Sequence, residues 1–223
     1  MRIGIVTYWS SSDNYGQQLQ CFALQKYLIG LGHDAYLIKY MPTSHIPLWR
    51  RIARSVKYRL LVSSEQKEKD RNTKLISERN KLLNCRRGFK EFRDKYIKST
   101  EIVYADIYIC GSDQVWNNSL KDPDTAGWFL VFGKPTAKRV SYAASIGRDI
   151  DSCEINRFTR YLKNFNAISV REQKAYALCH QLGFDKSIIA IDPTLLLNSS
   201  DYDLIELDSN GTNVAGKPYV FIY

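Results

Sequence analysis

Hydrophobic and polar positions alternate along this chain in a repeating order. An apolar run, Ile3-Gly4-Ile5-Val6-Thr7-Tyr8, reads as a strand and stops at the polar loop Ser10-Ser11-Ser12-Asp13-Asn14-Tyr15-Gly16. Leu19, Phe22, Ala23 and Leu28 then recur at helical spacing, and Gly30-Leu31-Gly32 supplies a helix stop. Residues 34–40 read as a second strand, broken by Met41-Pro42 and by His45-Ile46-Pro47. A helical, basic pattern occupies 48–98. Residues 105–110 form a short apolar run ending in Gly111-Ser112-Asp113, and 139–144 another, ending in Ser145-Ile146-Gly147. A helix is expected over 154–164, a strand over 167–170 ending in Arg171-Glu172, and a helix over 172–182 stopped by Gly183. Residues 187–191 read as a last strand, closed by Asp192-Pro193.

Short apolar strands alternating with helices predict an α/β fold, a largely parallel sheet with helices on both faces. In such sheets ligands gather beyond the carboxyl ends of the strands. Four of the expected strand ends carry small, polar or charged groups there: residues 10–16, 111–113, 145–147 and 171–172. The first loop also opens a helix, where backbone N–H groups and the helix dipole favour an anion. It has neither the GxGxxG spacing of a dinucleotide site nor a Walker lysine.

Composition narrows this further. A chain of 223 residues, 44% hydrophobic and 25% charged, suits one substantial core or one domain plus a fragment. No apolar run reaches the length of a membrane span, and the N-terminus lacks a signal-peptide pattern. Cys21, Cys85, Cys110, Cys153 and Cys179 have no metal or redox spacing, so buried free thiols in a reducing, cytoplasmic setting are expected. No metal-ligand cluster stands out, and His33, His45 and His180 sit in no motif. Residues 50–98 hold 17 Lys or Arg against 6 Asp or Glu, which exceeds the +9 of the whole chain, so one segment supplies the entire excess. Within it Trp49, Ile52, Ala53, Val56 and Leu60 fall on one helical face and Arg50, Arg51, Arg54, Lys57 and Arg59 on the rest. That stretch, opening at Trp49 and closing at Leu61, suits either packing on the core or peripheral contact with an anionic membrane surface. Nothing in it resembles a nucleic-acid-binding signature, so no nucleic acid is expected as a partner.

Five ordered motifs carry a family resemblance. Asp13-Asn14-Tyr15-Gly16 with the Gln18-Leu19-Gln20 and Ala23-Leu24-Gln25 that follow is the first, and Gly111-Ser112-Asp113-Gln114-Val115-Trp116-Asn117 is the most diagnostic. Ser141-Tyr142-Ala143-Ala144-Ser145-Ile146-Gly147, Ser169-Val170-Arg171-Glu172 and Asp192-Pro193-Thr194-Leu195-Leu196 complete the set. Together they resemble the polysaccharide pyruvyl transferase family from residue 3 to about residue 197.

The resemblance implies a Rossmann-like parallel sheet of the kind found in the N-terminal lobe of a GT-B-like, two-lobed transferase. It implies a lobe over 1–207 with the basic insertion at about 48–98, then a linker and the first strand of a second lobe over 208–223. It implies transfer of a pyruvyl unit from phosphoenolpyruvate to a hydroxyl pair of a surface glycan or its lipid-linked precursor. Phosphoenolpyruvate would be a donor substrate, with no separate cofactor, and a histidine and further basic residues would come from the second lobe. By the same resemblance Arg171 would contact the donor, in keeping with the planar guanidinium's fit to phosphate and carboxylate. Pairing of Arg171 with Glu172 or another acid is the structural alternative. Asp113 is expected as the base or as a sugar-orienting group, with capping of the following turn as the alternative. Asn14, Tyr15, Gly16, Ser112 and Ser145 are expected to bind substrate or shape the cleft, with capping of the first helix as the alternative for Asn14 and a plain turn as the alternative for Ser145. Trp116 is expected to pack, and Asp192-Pro193 to shape the exit of the last strand. A nucleotide-sugar glycosyltransferase of similar build, or an inactive or binding single lobe, are the other readings.

Overall fold

The computed structural model describes residues 1–11, 14–41, 63, 86–117, 120 and 123–207. Ser12, Asp13, Cys85, the stretch from Trp49 to Leu61 and residues 208–223 lie outside the described residues, and with them the expected membrane-facing helix and second-lobe strand. The described elements are β1 (Arg2–Val6), α1 (Tyr15–Gly30), β2 (Asp34–Ile38), α2 (Arg86–Tyr96), β3 (Ser99–Thr100), β4 (Ile107–Cys110), β5 (Lys138–Ala144), α3 (Ser152–Leu162), β6 (Ala167–Val170), α4 (Gln173–Gln181), β7 (Ile188–Ile189) and α5 (Ser199–Leu207). Two 3-10 segments, Pro123–Phe129 and Pro193–Leu195, complete the set.

All seven strands are parallel, in the order β3-β2-β1-β4-β5-β6-β7. The winding direction reverses between β1 and β4, the position where open α/β sheets hold ligands at their carboxyl edge. The inner strands bury both faces, which is why they read as near-continuous apolar runs, whereas the edge strands β3 and β7 are short and largely exposed. Ile3, Ile5, Ala35 and Ile109 meet Leu24 and Leu28 of α1 on one face. Val6, Ile38, Tyr108 and Cys110 enter the larger core on the other, with Phe158 and Leu162 of α3 and Cys179 of α4. The alternation follows the two-residue period of a strand. Trp116 is fully buried there. Its ring stacks on Phe129 at 5.4 Å and meets Phe158 edge-on at 5.9 Å, contacts worth about 0.5–1.5 kcal/mol each beyond area burial.

Several boundaries differ from the sequence reading. The expected single apolar face of α1 contains three buried glutamines, Gln18, Gln20 and Gln25, alongside Phe22, Leu24 and Leu28. Gln18 donates its amide to the Trp9 and Ser11 carbonyls and Gln20 to the Thr7 hydroxyl, so these buried side chains satisfy their donors beneath the helix. Gln25 donates to the Lys98 carbonyl at 2.7 Å and accepts the Lys98 N–H at 2.9 Å, seating the entry of β3. That strand pairs only Leu37 with Ser99 and Ile38 with Thr100, too short to leave a pattern just beyond the basic segment. Strand β2 ends at Ile38 rather than 40, β7 spans two residues rather than five, and α3 starts at Ser152 rather than 154. Helix α5 lies in a stretch given no element by the sequence reading, and packs Tyr202 and Ile205 against the Cys21-Phe22-Leu37-Ile97 cluster. Cys21, Cys110 and Cys179 are buried free thiols, whereas Cys153 is exposed.

Candidate functional site

The end of β4 turns sharply at Gly111 and Asp113. Gly111 has φ +110, and a Cβ on it would stand 2.3 Å from the Tyr142 carbonyl oxygen, so only glycine fits beside β5. The Gly111–Ser112 peptide is cis, and Asp113 adopts φ 64. Non-glycine residues in that left-handed region gather at functional sites. Ser112 is fully buried. Its carbonyl accepts the Thr7 hydroxyl at 3.2 Å, and Thr7 in turn accepts the Gln20 side-chain amide at 2.9 Å, tying the ends of β1 and β4 together. The Ser112 hydroxyl lies 3.1 Å from the Ala143 carbonyl and 3.4 Å from Asp192 Oδ2. Asp113 Oδ1 accepts the Gln114 N–H at 2.8 Å, the turn-capping geometry, while its other oxygen makes no hydrogen bond among the described residues.

The end of β5 is set by a bulge. Three steps on β5, Ser141 to Ala144, face two on β6, Ile168 to Val170, and Ala143 has φ 46. An extra residue leaves ladder groups unpaired; two serines supply the partners. Ser141 Oγ donates to the Ser169 carbonyl and accepts the Ser169 N–H, at 2.9 and 3.0 Å. Ser169 Oγ donates to the Ser141 carbonyl at 2.9 Å and accepts the Ala143 N–H at 3.0 Å. Beyond the bulge, Ser145 donates its hydroxyl to Glu172 Oε1 at 2.9 Å, and the same oxygen accepts the Ile146 N–H at 2.8 Å and the Gly147 N–H at 3.4 Å. Glu172 thus makes no side-chain cap on α4. A cavity of about 380 Å³ opens beside it, lined in part by Gly147, Arg148, Glu172 and Lys174.

Arg171 follows β6 directly, and its Nη1 donates to Asp192 Oδ2 at 3.0 Å. Its partner is therefore Asp192, not the neighbouring Glu172. Asp192 shapes the chain after β7 as expected, its Oδ1 accepting the Thr194 N–H at 3.0 Å and the Thr194 hydroxyl at 2.8 Å to cap the Pro193–Leu195 turn. Its other oxygen joins Ser112 and Arg171, so one carboxylate links the exits of β4, β6 and β7. Burial raises the Tyr142 and Tyr202 hydroxyls above the ordinary tyrosine value, with the Asp192 charge as a smaller cause for each.

Ser112, Asp113, Ser145 and Arg171 thus share one rim, Asp113 accepting the Ser145 N–H at its carbonyl, 2.9 Å away. Asn14, Tyr15 and Gly16 follow β1 at the same sheet edge, and the Tyr15 side chain turns toward α2. Asn14 Oδ1 caps α1 by accepting the Gln17 N–H at 2.9 Å, and the Tyr15 ring packs on Phe89 at 4.8 Å. Gly16 is exposed beside Asn14, and no hydrogen bond among the described residues joins these three to Arg171. Sequence reasoning passed over Thr7, Gln20, Glu172 and the linking role of Asp192. The Asp-Pro-Thr turn signal after a strand was the one trace of the last. Among the described residues no group of three His, Cys, Asp or Glu could hold a metal ion, and no helix is long and apolar enough to cross a membrane.

No curated protein and no solved structure matches the chain. A family model described as polysaccharide pyruvyl transferase matches residues 14–221, a span that contains every rim residue after β1. This chain, with its open parallel sheet and its furnished strand ends, belongs to that transferase family.

Proposed function

We propose that the rim carrying Asp113 and Arg171, whose turns the buried Ser112 and Ser145 hold in place, binds phosphoenolpyruvate and presents it to a hydroxyl pair of a glycan or of its lipid-linked precursor. The observation that carries this reading is Arg171. It stands at a strand exit, about a third exposed, with one guanidinium nitrogen held by Asp192 and Nε and Nη2 without a hydrogen bond among the described residues. Those donors suit the phosphate or the carboxylate of the donor substrate, since a planar guanidinium binds either through two parallel N–H groups.

The reaction needs a proton on the methylene carbon of phosphoenolpyruvate and attack of one sugar hydroxyl at C2. The second hydroxyl then attacks the same carbon and expels phosphate, leaving the ketal. Of the two hydroxyl protons, one balances the new methyl group and the other leaves with phosphate. Asp113 has an oxygen free to accept a hydroxyl proton, and its backbone is fixed by the turn that positions it. Arg171 would offset the charge that builds on the departing phosphate. The test is an incubation of the full-length protein, second lobe included, with phosphoenolpyruvate and candidate glycan acceptors, followed by phosphate release and by the ketal methyl signal in proton NMR. Phosphate release that depends on acceptor and disappears in Arg171→Ala is expected. Turnover of sugar nucleotides with no response to phosphoenolpyruvate would refute the reading.

A further inference from the structure

We infer that Asp192 is a positioning residue for Arg171, one that holds a single nitrogen of the guanidinium so that its remaining edge stays turned toward the donor anion. The inference rests on the role of Arg171 proposed above. Three observations support it. Asp192 is itself anchored, because Oδ1 accepts both the Thr194 N–H and the Thr194 hydroxyl while the Thr194 carbonyl accepts the Tyr202 hydroxyl at 2.7 Å. The buried Pro193 stiffens the same turn. Only Oδ2 faces Arg171, at 3.0 Å from Nη1, with Ser112 Oγ at 3.4 Å on the same oxygen. A side-on bidentate pair would use two nitrogens and cover the edge an incoming phosphate or carboxylate needs. The single contact fixes the side chain and leaves that edge open. Its carboxylate also repels an anion approaching from the β7 side, which restricts the donor to one orientation.

Asp192→Asn separates this role from a plain ion pair. Asparagine offers one acceptor oxygen, so it can cap Thr194 or hold Arg171, not both. The full chain is titrated with phosphoenolpyruvate and, separately, with inorganic phosphate by calorimetry. A positioning role predicts that the phosphoenolpyruvate dissociation constant rises about tenfold or more while that of inorganic phosphate moves by less than about threefold. Asp192→Glu, which restores the charge, should recover part of the loss. Unchanged phosphoenolpyruvate affinity, or the same factor for both ligands, would overturn the inference. If the variant does not fold, the wild-type chain still decides the matter through nitrogen NMR of the Arg171 guanidinium. Hindered rotation with a resolved, slowly exchanging Nη1 pair supports the tether, and fast averaging overturns it. A wild-type chain that ignores phosphoenolpyruvate removes the functional reading and this inference together. A wild-type chain that binds it no more tightly than the Asp192→Asn variant removes only the inference.

Discussion

Replacing Ser169 by alanine tests how the site is built, because that hydroxyl closes the β5 bulge. The change removes two hydrogen bonds, a donor to the Ser141 carbonyl at 2.9 Å and an acceptor for the Ala143 N–H at 3.0 Å. Ser141 and Ala143 are fully buried and Ser169 is 7% exposed, so water does not replace the lost partners without opening the strands. An unsatisfied buried donor costs about 1–3 kcal/mol, and the carbonyl, with its second lone pair, somewhat less. A loss of about 2–4 kcal/mol follows, which at a urea slope near 2–3 kcal/mol/M moves the unfolding midpoint down by about 1 M. The assay is equilibrium urea unfolding followed by tryptophan fluorescence, with Trp116 and Trp128 as buried reporters. The slope should stay unchanged, since the same surface is exposed on unfolding. A midpoint shift below about 0.2 M would refute the reasoning, by showing that the bulge is held without the serine. Because the bulge aims Ser145 at Glu172, the variant should also weaken phosphoenolpyruvate binding under conditions where it remains folded.

Gly111→Ala should destabilise by about 2–4 kcal/mol, from a left-handed backbone and a Cβ driven into the Tyr142 carbonyl, and should be read in the same urea assay. Arg171→Ala should abolish detectable phosphoenolpyruvate binding while its urea midpoint moves by no more than about 0.5 M, given the modest worth of an ion pair whose partners are about a third exposed; wild-type affinity in calorimetry would defeat the assignment. Alkaline pH should destabilise the chain through its buried thiols. Burial pushes Cys21 up to about 12 and Cys179 to about 11 from an ordinary value of 9.0, and raises Cys110 as well. Above pH 9 the unfolded thiols ionise and the folded ones do not, so stability present at neutral pH falls by up to about 1.4 kcal/mol per pH unit per thiol until the folded values are reached. Flat stability between pH 8.5 and 10.5 would contradict this, and maleimide should label exposed Cys153 well ahead of the three buried thiols in the native state.

Strands β1, β4, β5 and β6 were legible because a parallel sheet buried on both faces writes itself as short apolar runs, and their polar exits located the rim. The exits also carried the candidate residues, so Ser112, Asp113, Ser145 and Arg171 could be placed on one edge before any coordinates. Strand β3 was not legible, since two residues leave no period and its seating comes from Gln25, 73 residues earlier in the chain. The burial of the three glutamines of α1 was not legible, because helical spacing does not show which carbonyls and hydroxyls lie beneath the helix. Asp192 was read as a turn former, which it is. Its second oxygen meets groups 21 and 80 residues away, a convergence that only the sheet order creates. Asn14 and Tyr15 carry motif letters, yet their side chains are committed to a helix cap and an aromatic contact.

Titration of phosphoenolpyruvate into the isotopically labelled chain, followed residue by residue in amide NMR, tests the anion-binding rim most directly. The largest shifts should fall on Gly111–Gln114, Ser145–Gly147, Arg171–Glu172, Asp192 and Thr194, saturating together with one dissociation constant. Shifts confined to the opposite end of the strands, around Asp34, Lys98 and Tyr104, or no saturable shifts at all, would contradict the account.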